Sequence, residues 1–356
     1  MTIHFLTQHN KLISGYKKII VWVSLFILLV ILFIADIFLG SVKIPVSEVL
    51  NTFFSGNSEY PEYSTIVLQF RLPKALTALF AGFALSVSGL QMQTIFKNPL
   101  AGPYVLGISS GASLGVAIVV LGVSTLGVFN YLGVLSNWII VLAAWLGSGL
   151  ILLLIFAVST RVKDIMTILI LGIMFGSATT AVVGILQYFS NETMLKAFII
   201  WTMGSLGGVT ISHLYVLIPS ILLGLFISFI SVKMLNALLL GENYAKSMGL
   251  NIKLSRFLIF FSTSMLAGTI TAFCGPIGFI GIAVPHLARM VFKTANHSVL
   301  LPGSMIIGGI ILLFSDIVSQ LPGKESSLPI NSITALVGIP IVIWIIIRKQ
   351  KFSTNS

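Results

Sequence analysis

Ile19-Ile20-Val21-Trp22-Val23-Ser24-Leu25-Phe26-Ile27-Leu28-Leu29-Val30-Ile31-Leu32-Phe33-Ile34-Ala35-Asp36-Ile37-Phe38-Leu39 decides the fold class. One acid and no base interrupt the run. A helix rises about 1.5 Å per residue, so this stretch reaches across a hydrocarbon core of about 30 Å. It is longer than the apolar stretch of a secretory signal, and no small-residue cleavage site follows it. It therefore reads as a retained span.

Working outward, nine more segments have the same character. The ten expected spans are 19–40, 65–93, 104–128, 135–158, 165–189, 212–231, 255–274, 278–293, 300–321 and 330–347. Lipid admits only helices and closed barrels, and these runs lack the polar–apolar alternation of barrel strands. Composition agrees: 57% of the 356 residues are hydrophobic and only 8% charged, against roughly 25% charged in soluble domains. The mean hydropathy is +1.08. The expectation is an all-α polytopic membrane protein, ten transmembrane helices in a single domain over residues 1–356, with lipid as its main solvent. Cys274 is the one cysteine, so no internal disulfide can form.

A formal charge of +11 does not make this a nucleic-acid binder. Such proteins gather Lys and Arg on one wet face, whereas here the bases stand singly or in pairs between apolar runs. They set topology instead. With a cytoplasmic N-terminus, Lys43, Arg71, Lys74, Lys196 and Lys324 fall outside and the other fifteen of the twenty fall inside. Both termini are thus expected in the cytoplasm.

Three connectors are more organised than simple joints. Gln93-Thr94-Ile95-Phe96-Lys97-Asn98-Pro99-Leu100-Ala101-Gly102-Pro103-Tyr104-Val105-Leu106-Gly107 carries prolines and glycines that force a sharp reversal. The loop at 232–254 contains Leu240-Gly241-Glu242-Asn243-Tyr244-Ala245-Lys246-Ser247-Met248-Gly249. Gly241 can break one helix there, and a short second helix can end at Gly249. That piece is either a docking knob on the inner face or a solvated loop. The third is Cys274-Gly275-Pro276-Ile277-Gly278-Phe279-Ile280-Gly281, followed by Val284-Pro285-His286-Leu287-Ala288-Arg289. His286 could carry a proton or bind a metal, or could hydrogen-bond to the helix ends around it. No His, Asp or Glu cluster with metal-ligand spacing occurs in the sequence, and no resident cofactor is expected.

Together these stretches resemble the FecCD-type permeases of iron-siderophore, haem and cobalamin importers. The resemblance runs from Arg71-Leu72-Pro73-Lys74 to Trp344. It includes Ser88-Gly89, Gln93, Asn98-Pro99-Leu100-Ala101, Trp201-Thr202-Met203-Gly204, Asp316 and Thr334-Ala335-Leu336-Val337-Gly338-Ile339-Pro340. It implies the type II ABC importer permease fold, paired with a second copy or a close relative. Two ATP-binding subunits would grip the 232–254 loop through Leu240, Gly241, Glu242, Ala245 and Gly249. A periplasmic or lipoprotein substrate-binding protein would dock at Arg71 and Lys74. Lys74 stands where the family has a second arginine, and Gln320 where it has a third, with Lys324 nearby. The implied path runs along span five, where Gly176, Ser177, Thr179 and Thr180 are small and polar. The cargo so implied is a metal chelate, ferric siderophore first, with cobalamin or haem as alternatives.

Other classes fit less well. The chain has no phosphate-loop motif, and its one Gly-Lys pair, Gly323-Lys324, is followed by Glu325. No catalytic residues are expected in it. An ion-coupled secondary transporter would hold acids at mid-span, yet Asp36, Asp164 and Asp316 fall near span ends. An intramembrane serine protease would need Ser109 or Ser110 beside His213 or His286, which lie on distant segments.

Overall fold

The computed structural model describes residues 2–54, 60–122, 135–159, 162, 164–320 and 327–353. Lys324, Arg161, Lys163 and the 123–128 end of the third expected span lie outside the described residues. Among those described, the chain is helical and contains no strand. The helices are α1 (Thr2–Phe38), α2 (Val46–Phe54), α3 (Pro61–Ile95), α4 (Ile108–Gly122) and α5 (Leu135–Ser159). There follow α6 (Ile165–Tyr188), α7 (Glu192–Thr202), α8 (Ile211–Ile230), α9 (Val232–Leu239) and α10 (Glu242–Ser247). The last four are α11 (Ile252–Cys274), α12 (Ile280–Phe292), α13 (His297–Ser319) and α14 (Ile330–Ser353).

Seven of these are long and apolar enough to cross a membrane: α1, α3, α5, α6, α8, α11 and α13. The shorter apolar helices α4, α12 and the first part of α14 stand where the third, eighth and tenth spans were expected. Two of them start late for a physical reason. The segments before α4 and α12 fold into the bundle as non-helical or 3-10 chain, and they meet there: Ile277 N–H donates to Tyr104 Oη at 3.2 Å. Gly107 ends the first segment at φ 72°, a left-handed conformation that glycine adopts without steric cost.

Side chains set the other helix starts. The Asp164 carboxylate accepts from Met166 N–H and Thr167 N–H at the head of α6. Asn251 caps α11, and Thr210 with His213 forms a reciprocal cap on α8. In α3 the turn Ile66–Arg71 widens to a π-helix, with Leu72 N–H reaching back to Val67 O. Pro73 follows directly; its ring would clash with a carbonyl four residues back, and the wider turn makes room.

Small residues bring the backbones together. A Cβ on Gly308 of α13 would stand 2.3 Å from Gly82 O of α3, and one on Gly147 of α5 would stand 2.1 Å from Gly111 O of α4. In lipid, such close approach takes the place of the hydrophobic driving force. One polar tie crosses the core: Gln91 of α3 donates to Ser262 Oγ at 2.9 Å and accepts from Thr263 Oγ1 at 2.8 Å, both on α11. All three residues are fully buried.

Candidate functional site

At one end of the bundle the chain leaves α8 through α9 and α10. Gly241, at φ 111°, makes the corner between these two short helices. Gly249, at φ 85°, closes α10: Gly249 N–H donates to Lys246 O and Leu250 N–H to Ala245 O, the Schellman pattern. Ala245 is fully buried in an apolar cluster with Leu238, Ile259 and Phe260. Leu240, Tyr244 and Met248 point the other way and are 65%, 54% and 52% exposed. Leu240 ends α9 before the Gly241 corner, while Tyr244 and Met248 lie on α10 and its C-cap; of the three, the sequence reading singled out only Leu240. Glu242 is held from within: Arg256 of α11 donates to its Oε1 through Nε at 3.2 Å and Nη2 at 2.7 Å.

The segment 93–107 lies along α12 at the same end. Gln93 donates to Ile282 O at 3.1 Å and accepts from Arg289 Nη1 at 2.6 Å. His286 Nε2 lies 2.7 Å from the carbonyl oxygen of Pro99 in the 93–107 segment. Asn98 Oδ1 accepts from Leu100 N–H and fixes the turn around Pro99. Pro285 is buried inside α12. His297, also buried, bridges Thr94 Oγ1 and Asn236 Oδ1 at 2.8 and 2.9 Å, joining α3 and α13 to α9. Among the described residues no three His, Cys, Asp or Glu side chains stand together as metal ligands.

The opposite end carries the residues read as a docking pair, and there the charges turn inward. The Arg71 guanidinium donates to Ile37 O at 3.0 Å, Phe38 O at 2.9 Å and Val42 O, closing the C-terminal turn of α1. Lys74 Nζ pairs with Asp316 Oδ1 at 3.0 Å. Gln320 donates to both Asp36 Oδ1 and Asp316 Oδ2, so it serves two buried acids where an exposed arginine was the family expectation. Arg71, Lys74 and Gln320 still line a surface pocket of about 190 Å³. Nearby, Gly275 stands at φ 73° with Trp201 O only 2.4 Å from where its Cβ would be. Gly278 N–H, just past Pro276, donates to Asn331 Oδ1.

The small residues of α6 face two ways. Gly172, Gly176 and Thr179 pack inward, and Ser177 and Thr180 are exposed. The hydroxyls of Thr179 and Thr180 both bond to Gly176 O, and that of Ser177 to Ile173 O, so none presents a strong ligand. Gly172, Gly176, Ser177 and Thr180 line an open groove of about 620 Å³ with Tyr104, Gly107 and Ser110.

With that geometry in place, known proteins supply the class: residues 28–348 match the model of the FecCD transport family. The chain belongs to the FecCD transport family. The vitamin B12 import system permease protein BtuC of Salmonella typhi is 36% identical over 286 residues, 80% of this chain and 84% of the relative. The hemin transport system permease protein HmuU of Yersinia pestis is 35% identical over 332 residues, 92% of this chain and 95% of the relative. A solved ABC transporter assigned to the metal-chelate type, in an inward-facing conformation, matches with a TM-score of 0.79 at 30% identity. It covers 93% of this chain and 99% of that one.

As a FecCD permease the chain is a polytopic membrane protein with the ABC importer permease fold. In that frame, the sequence reading missed Arg256, the partner of Glu242, and the acids Asp36 and Asp316 as partners of the docking pair. Arg256 carries one signal, a lone base in the first turn of a span just after the 232–254 loop. The acid pair carries none, because Asp36 and Asp316 lie at opposite ends of the sequence.

Proposed function

We propose that this FecCD permease is the membrane subunit of an ATP-driven importer that carries a metal chelate across a bacterial inner membrane into the cytoplasm. The exposed apolar side chains of Leu240, Tyr244 and Met248 carry the reading. They stand around the short helix α10 and the Gly241 corner before it, outside the expected spans. Exposed apolar side chains gathered on one rigid knob are what a soluble partner's groove accepts. Two ATP-hydrolysing subunits would take that knob from each of two permease copies. A substrate-binding protein would meet the pocket lined by Arg71 and Lys74 on the far face, and the groove along α6 would form part of the path. Both termini would lie in the cytoplasm.

The cargo proposed first is a ferric siderophore, with cobalamin and haem as alternatives that the BtuC and HmuU likenesses favour. The hydroxyls of Ser177 and Thr180 donate to carbonyls of their own helix, which suits a cargo that slides through rather than binds. The test is uptake into proteoliposomes holding the permease, its ATPase and its binding protein. Iron-labelled hydroxamate siderophore, haem and cyanocobalamin would be offered in turn. ATP-dependent accumulation of one of them supports the reading. Accumulation driven by a proton or sodium gradient without ATP overturns it.

A further inference from the structure

Helix α2 lies outside the expected spans, on the connector between α1 and α3, yet its surface is largely apolar. At about 3.6 residues per turn, its nine residues divide into three faces. Glu48, Val49 and Thr52 are buried against the bundle. Val49 packs in one apolar cluster with Ile37 of α1 and with Val67 and Ala75 of α3. Val46, Leu50, Phe53 and Phe54 form a second face, all of it exposed, Phe54 at 87%. Ser47 and Asn51 are exposed as well and make a polar third face, between the apolar one and the packed one.

Three faces of different character suit a helix lying where protein, lipid and water meet. In water alone the apolar face would be a bare patch. Its neighbours place it beside lipid. The packed face joins it to α1, the least buried of the seven long helices, whose last turns expose Ile31 and Ile34. The Tyr60 and Tyr63 rings stand 5.4 Å apart at the head of α3, and Lys43 is exposed on the connector. Tyrosine and lysine both favour the headgroup level, with an apolar body and a polar tip.

We infer that α2 is an in-plane membrane anchor: Val46, Leu50, Phe53 and Phe54 enter the acyl boundary of the leaflet at the Arg71 end of the bundle, and Ser47 and Asn51 stay in the wet headgroup layer. Helices of this kind sink about 5–10 Å into that boundary. The partner is the lipid surface, met through its acyl chains. Val42, on the chain leading into α2, accepts from the Arg71 guanidinium through its carbonyl. The anchor therefore also holds one wall of the Arg71 pocket at a fixed depth.

The test uses the full-length permease in nanodiscs of phosphatidylethanolamine and phosphatidylglycerol. A nitroxide is attached in turn through Leu50→Cys, Phe54→Cys, Ser47→Cys and Asn51→Cys. Power saturation then compares its collisions with oxygen, which concentrates in lipid, and with a water-soluble nickel chelate. All four positions are exposed, so the label spares the packed face, and the native thiol Cys274 is buried and stays silent. Leu50→Cys and Phe54→Cys should lose most of the nickel contact and keep that of oxygen, whereas Ser47→Cys and Asn51→Cys should keep the nickel contact. Strong nickel contact at all four positions would put α2 in water and overturn the anchor. Weak contact with both reagents at Leu50→Cys and Phe54→Cys would mean that another protein surface covers the face, which overturns it equally.

Discussion

Lys74 Nζ stands 3.0 Å from Asp316 Oδ1, and the acid it serves is almost wholly buried, at 1% exposure. An acid in that position depends on its counter-charge, because removing one partner of a buried pair leaves the other uncompensated at a cost of about 3 kcal/mol. Lys74→Met should therefore lower the thermal midpoint of the detergent-solubilised protein. Lys74→Met combined with Asp316→Asn should recover most of the loss. An unchanged midpoint for Lys74→Met would show that the pair contributes nothing.

The contact between α3 and α13 allows no side chain at Gly308. Gly308→Val should prevent a monodisperse protein from accumulating, since its Cβ would meet Gly82 O at 2.3 Å and well-packed interiors do not absorb added groups. Gly149→Ala makes the control, because nothing lies within 4 Å of its Cβ position. Fluorescence-detected size exclusion should show a normal peak for Gly149→Ala and an aggregated or absent one for Gly308→Val.

Tyr244→Glu places a charge on the exposed face of α10 without touching the core. Copurification of the ATP-hydrolysing partner should fall about tenfold, equal to about 1.4 kcal/mol at the contact. The thermal midpoint of the isolated permease should not move. Unaltered copurification would shift the contact away from α10.

Topology can be tested with the same chemistry of introduced thiols. Lys43→Cys and Ser247→Cys are both exposed positions, on the connector before α2 and at the end of α10. A membrane-impermeant maleimide should label Lys43→Cys in intact cells, and Ser247→Cys only after the membrane is opened. Labelling of Ser247→Cys in intact cells would reverse the orientation and remove the α10 knob from the reach of any cytoplasmic motor.

Ten helices were legible because a span announces itself by length and apolarity, and neither depends on what packs beside it. The glycine corners at Gly241 and Gly249 were legible for a similar reason: a backbone that must turn needs its residue on the spot. Depth was not. Pro103 and Pro276 mark breaks in the chain, but that both breaks lie inside the bundle and touch through Tyr104 and Ile277 depends on how the helices assemble. Arg71 and Lys74 read as outward-facing bases because nothing in their neighbourhood of the sequence answers them. The groups that do answer are the last carbonyls of α1 and the distant acid Asp316, brought near only by folding. Arg256 lay hidden in the same way, fourteen residues beyond its acid and across a helical hairpin.

The Gln91 tie has a mechanical consequence. It joins the two long helices with the most buried spans, α3 and α11, by hydrogen bonds in a region with no water to replace them. Sliding one past the other would strand the Gln91 amide and the Thr263 hydroxyl at about 1–3 kcal/mol each. In the proposed importer, alternating access would leave this pair standing as a fixed spine, and movement would fall to the less buried α5, α6 and α8.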